Sequence, residues 1–226
     1  MNDGIAGWLL ALAISAVLIP WSEREQRPAA VGAFALLLLY VVALAVGGWL
    51  LAPYWRPWSP AIAAAAVWLA FQPLLAFDRL TRADLGLVPL RPGSALPACM
   101  VTAIALVLNA VIVGLRGPAA MNVSGTLMLA VVLAAMMEEL VFRGVILALA
   151  DRAHPPRWNV GGAPIGIGGL AVTAAFVALH GVRPGLLLGV APAAILYLWL
   201  RARTGSLLAP IAAHLLWNLS LVLMYR

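Results

Sequence analysis

Runs of about twenty apolar residues, separated by short polar loops, recur along the whole chain. Eight can be read, at 4–20, 29–52, 60–77, 95–115, 126–150, 164–180, 184–200 and 205–225. A helix rises about 1.5 Å per residue, so about twenty residues cover the ~30 Å hydrocarbon core of a bilayer. Inside lipid the backbone must satisfy its own hydrogen bonds, and a helix does so segment by segment. The expected fold class is therefore all-α, a polytopic transmembrane helical bundle of about eight spans. The loops are too short for a soluble unit, so 1–226 reads as a single integral membrane domain. The sixth and seventh runs are short and begin at proline, and are expected to tilt or to enter the bilayer incompletely. Prolines mark loops at 53–57 and 154–156, and the stretch 159–169, NVGGAPIGIGG, is too glycine-rich for a helix. Pro73, Pro192 and Pro210 fall inside runs, where each removes a backbone donor and can kink its helix. The first run lacks a basic lead-in and reads as a span rather than a cleaved signal peptide.

Hydrophobic residues make up 65% of the chain and charged residues 10%, against about a quarter charged in an ordinary soluble domain. The net charge of +6 rests on arginine, with no lysine. In a membrane protein such an excess reports topology and not nucleic-acid binding. Arg24, Arg27, Arg79, Arg82, Arg91, Arg152, Arg157, Arg201 and Arg203 fall on one side of an eight-span map. Arg56, Arg116, Arg183 and Arg226 fall on the other. The richer side is expected in the cytoplasm, which places both termini outside. Trp21, Trp49, Trp55, Trp58, Trp158 and Trp199 lie near run ends, as an aromatic belt would. The single cysteine, Cys99, excludes an intramolecular disulfide and reads as a packing residue.

Against this background a few polar side chains stand out. Glu138 and Glu139 lie deep in the fifth run, and Arg143 follows one turn later. An ionisable group at membrane depth costs on the order of 3 kcal/mol on insertion scales, so such groups face the bundle interior and mark functional sites. Glu139 and Arg143 are four apart, share a helix face and can form an ion pair. Glu138 is turned about 100° away from Glu139, towards different surroundings where it can serve as a general base. Phe176 and His180 are one turn apart at the end of the sixth run, and His214 and Asn218 are one turn apart in the eighth. His154 shares a loop with Asp151, Arg152 and Arg157 and is expected to be solvated.

Singly, each has a plain structural reading, since membrane histidines and Glu–Arg pairs commonly serve as glue between helices. Together, on separate helices that must all turn them from lipid, they are expected to converge. Glu with His can hold and deprotonate a water, while a second His with Asn can donate to a developing oxyanion. That is a set for peptide-bond hydrolysis without a Ser or Cys nucleophile, and it requires no cofactor. The alternative is zinc on Glu138, His180 and His214. Two further readings stay open, a proton-coupled carrier with a buried relay and a non-catalytic scaffold or immunity protein. The His214/Asn218 donor pair, which a relay does not need, favours the hydrolase.

Residues 138–143, EELVFR, match EExxxR; Phe176 to His180 matches FxxxH, and His214 to Asn218 matches HxxxN. In this order on successive membrane helices, the motifs resemble the CPBP family of CAAX-processing type II endopeptidases and bacterial Abi-type intramembrane proteases. The run into His214, RTGSLLAPIAAH, and the DLGL at 84–87 are similar to family sequences as well. The resemblance covers about 127–223. It implies that Glu138 activates the attacking water, with His180 helping to bind and orient it. It implies that His214 and Asn218 stabilise the oxyanion, with Glu139, Arg143 and Phe176 in structural or electrostatic support. The implied protein is a glutamic intramembrane protease of the bacterial cytoplasmic (inner) membrane, acting on a membrane-anchored protein or peptide. The arginine distribution puts His180 near the outer face, which favours sorting tails or anchored peptides on exported proteins. The inverse orientation favours lipidated cytosolic C-termini.

Overall fold

The computed structural model describes residues 2–50, 58–78, 80–116 and 124–224. The apolar runs form helices α1 (Asn2–Trp21), α2 (Arg27–Leu50), α3 (Ser59–Asp78), α4 (Ala95–Arg116) and α5 (Gly125–Glu139). They continue as α6 (Leu147–Ala153), α7 (Ile167–Leu179), α8 (Pro184–Thr204) and α9 (Leu208–Met224). A π-helical segment, Leu140–Ile146, joins α5 to α6 without a break. Each of the predicted runs thus has its helical rod among the described residues. Of these, Gly4–Trp21, Arg27–Gly47 and Gly125–Ala153 are long and apolar enough to cross a membrane by length and composition. Shorter apolar helices include Pro60–Gln72 and Leu208–Val222. The chain is an all-α membrane protein. The loop 53–57, with Trp55 and Arg56, lies outside the described residues, as do Arg79 and Arg226.

Local chemistry explains the helix ends. The Ser124 hydroxyl accepts from the Leu127 N–H at 3.1 Å, capping α5. Pro184 opens α8, and Gly205, at φ 70°, closes it in the left-handed conformation that glycine adopts without strain.

The sixth run departs from its apolar pattern. Strands β1 (Trp158–Val160) and β2 (Ala163–Ile165) pair antiparallel, Trp158 opposite Ile165 and Val160 opposite Ala163. The helix therefore begins at Ile167 and not at Pro164. Gly161 and Gly162 have φ of 58° and 81°, as a two-residue hairpin with both central residues at positive φ requires. The Val160 carbonyl accepts from Trp199 Nε1 at 2.8 Å, which fastens the hairpin to α8.

Two further expectations are corrected. His154 is not a free solvated side chain, because its Nε2 lies 2.9 Å from the Leu18 carbonyl at the end of α1. Pro210 stands in the first turn of α9, where no N–H is needed, and so removes no backbone donor that would kink that helix.

The α5–α6 rod is central, with α9, α3, α2 and α7 packed on it. One core cluster joins α1, α2, α3, the π segment and α7, and a second joins α4, α8 and α9. At Gly7 α1 approaches α7 so closely that a Cβ would stand 2.1 Å from the Ala178 carbonyl oxygen. A Cβ at Gly168 would stand 2.5 Å from the Ala150 carbonyl oxygen, so α7 is equally tight on α6. Small residues permit such approach between membrane helices. Here they fix both ends of the helix that carries His180.

Candidate active site

Glu139 is the centre of a buried polar network. Its carboxylate is fully buried, and Oε1 accepts from Arg143 Nη1 at 3.2 Å and from His214 Nδ1 at 2.9 Å. The expected ion pair on α5 is thus tied to a histidine on α9. Arg143 is also buried, donates Nη2 to the Ala194 carbonyl at 3.2 Å, and lies 4.2 Å over the Phe176 ring. With a guanidinium on the same carboxylate oxygen, the proton between Glu139 and His214 belongs to Nδ1. Nε2 of neutral His214 is then an acceptor, and it becomes a donor only when the ring takes a second proton.

Phe176 stands between the two histidines, 4.7 Å from the His180 ring and 6.2 Å from the His214 ring. On its far side His214 stacks on Tyr197 at 4.8 Å and 21°. His180 Nδ1 lies 2.9 Å from the Phe176 carbonyl. Donation to that carbonyl leaves Nε2 of a neutral ring as an acceptor.

Glu138 has other surroundings. It is nearly buried and hydrogen-bonds with the Tyr40 hydroxyl of α2. It lines a cavity of about 200 Å³ with Trp8, Tyr40, Phe142, Phe176 and His180. A second cavity, of about 220 Å³, is lined by His214, Asn218, Asn109 and Tyr197, and again by Phe176 and His180. The structure therefore brings Glu138 together with His180, and His180 together with His214 and Asn218. Glu138 and His214 line different members of this pair of cavities. The zinc alternative of Glu138, His180 and His214 is distributed over both cavities. Among the described residues no three His, Cys, Asp or Glu side chains are grouped to hold a metal ion.

Three cavity residues escape the sequence reading. Asn109 of α4 is buried and donates Nδ2 to Ser220 Oγ at 2.7 Å and to the Trp217 carbonyl at 3.4 Å, binding α4 to α9 beside Asn218. Its signal was available, as a lone amide in an apolar run. Tyr40 and Tyr197 gave none, because a tyrosine on a membrane helix reads as ordinary packing. The Tyr197 hydroxyl is buried and has no hydrogen-bond partner among the described residues.

The family model described as Type II CAAX prenyl endopeptidase Rce1-like matches residues 120–220. No curated protein and no solved structure matches the chain. The matched stretch contains the Glu138–Arg143 segment, the Phe176–His180 turn and the His214–Asn218 turn, whose side chains are gathered around one pair of adjoining cavities. Over that stretch the chain is similar to the Rce1-like type II CAAX prenyl endopeptidases.

Proposed function

We propose that this chain is a glutamic intramembrane endopeptidase that cuts near the C-terminus of a membrane-anchored protein with a lipidated or sorting tail. The carrying observation is that Phe176 and His180 belong both to the Glu138 cavity and to the His214–Asn218 cavity. Base and oxyanion donors approach one histidine from two sides.

A water held between Glu138 and His180 Nε2 attacks the scissile carbonyl carbon and gives a proton to the Glu138 carboxylate. The carbonyl oxygen takes up the electron pair. Asn218 Nδ2–H meets the oxyanion, together with His214 Nε2–H when that ring carries its second proton. Glu139, held by Arg143, stabilises that imidazolium. Collapse of the adduct breaks the C–N bond, and the proton on Glu138 passes to the leaving amine. Tyr40 orients Glu138, and Phe176 sets the spacing of the two histidines. No step requires a metal. Elemental analysis of active protein checks this, and stoichiometric zinc lost together with activity would overturn it.

The arginine-lined end of the bundle supports an orientation. Arg91, Arg152 and Arg201 gather at the start of α7. His180 follows its 13 residues, about 20 Å away at helical rise. With the arginines in the cytoplasm and both termini outside, the reaction lies towards the outer leaflet, and tails of exported proteins become the substrate class.

The test is Glu138→Gln in protein reconstituted with a membrane-linked peptide. Cleavage is expected to fall by about 10²–10⁴, the scale of a general base, while expression and unfolding temperature persist. A Gln variant as fast as the parent removes the assigned base. Glu138-dependent proton flux without cleavage would point to the carrier instead.

A further inference from the structure

A cavity of about 380 Å³, larger than either at the motifs, opens at the other end of α7. Its walls come from the 80–94 loop, the end of α6, the hairpin, the start of α7 and the end of α8, and none of its residues lines the active-site cavities. One part is charged, with Arg91, Arg152, Arg201, Asp84 and Asp151. Another is apolar, with Leu80, Leu147, Ile165 and Leu198.

The guanidiniums are seated by the fold. Gly86 and Gly205 have φ of 73° and 70°, and a Cβ at either would stand 2.6 Å from Arg201 Nε or 2.7 Å from Arg91 Nε. Arg201 donates Nη2 to the Asp84 carbonyl at 2.7 Å, and Arg91 donates Nη1 to the Ala202 carbonyl at 3.0 Å. A guanidinium has five N–H donors, so both keep others to offer.

The two acids differ. Asp84 Oδ2 accepts from the Thr81 N–H at 2.7 Å and the Thr81 hydroxyl at 2.8 Å. Asp151 Oδ1 is buried and has no hydrogen-bond partner among the described residues, although Asp151 and Arg201 interact electrostatically. A lone anion would suit the arginines and oppose Asp151, and a lone cation would meet three guanidiniums. A ligand carrying a phosphate and a primary ammonium a few bonds apart answers both. Beside the cavity-lining Gly166 and Gly169, Ile167 and Leu170 are exposed, so apolar surface continues along α7 from the cavity.

We propose that this cavity binds the headgroup of an aminophospholipid, with the phosphate on Arg91 and Arg201 and the ammonium donating to Asp151. The site is separate from the proposed hydrolysis and does not depend on it.

The test titrates delipidated full-length protein in detergent with phosphatidylethanolamine, phosphatidylcholine and phosphatidylglycerol, read by native mass spectrometry. Phosphatidylethanolamine is expected to bind about tenfold tighter than either other lipid, because a quaternary ammonium cannot donate a hydrogen bond and glycerol carries no charge. Asp151→Asn should remove that preference while phosphatidylglycerol binding persists, and Asp151→Glu should retain it. Arg91→Gln should weaken all three lipids. Equal affinity for the three lipids in the parent protein overturns the proposal without reference to any variant, as does an unchanged preference in Asp151→Asn. Soluble phosphoethanolamine that displaces the lipid at equal concentration would reassign the site to a free zwitterion and overturn the lipid as occupant.

Discussion

A carboxylate sunk among apolar helices has few neighbours, so each counts. Glu139 has Arg143 and His214 on one oxygen, and removing a single partner from a buried ion pair costs about 3–5 kcal/mol. Glu138 has the Tyr40 hydroxyl. A hydrogen bond to a charged group is worth about 1.5–3 kcal/mol. Tyr40→Phe is therefore expected to lower kcat/KM by about ten- to a hundredfold while the protein still folds, because the phenyl ring still meets Phe142 edge-on at 5.0 Å. Unaltered cleavage by this variant would remove Tyr40 from the site. Polar residues of this kind were legible in the sequence wherever lipid makes them costly. Their pairing was not, since Glu139 and His214 stand 75 positions apart and nothing local joins them.

Among elements, the π-helical segment and the close helix contacts do the positioning. Leu140–Ile146 directly follows Glu139 and contains Arg143, whose carbonyl accepts from Arg201 Nε at 3.1 Å. Such segments often accompany functional sites, but EELVFRGVI carries no sequence mark that separates it from an ordinary helix. The hairpin before α7 was legible in part. Paired glycines argued against a helix there, and only the pairing of β1 with β2 made it a hairpin. The contact at Gly7 yields a direct test. Gly7→Ala forces a Cβ against the Ala178 carbonyl, and overpacking of this kind costs about 1–3 kcal/mol. Lower unfolding temperature in detergent and weaker cleavage are expected, since α1 or the His180 end of α7 must move. Gly4→Ala, with nothing within 4 Å of its Cβ, serves as the control. If the two variants behave alike, α1 is not seated on α7 in this way.

For the whole molecule, orientation decides which face of the membrane the proposed site would serve. Arg157 next to the hairpin is exposed. With Cys99→Ser as background, Arg157→Cys is expected to resist a membrane-impermeant maleimide in intact cells and to react after permeabilisation. Labelling of intact cells would turn the protein over and move the substrate class to cytosolic lipidated C-termini. The chain's own pattern determined the helical membrane class, the approximate position of the helices and the short list of polar residues, because the cost of charge and unpaired backbone in lipid acts on each segment separately. Which carboxylate meets which histidine, that Phe176 and His180 adjoin two cavities, and that Tyr40 of a motif-free helix reaches Glu138 were decided by tertiary structure alone. Those relations depend on how rods pack side by side, and packing is set by distant small residues and ring contacts that leave no periodic trace along the chain.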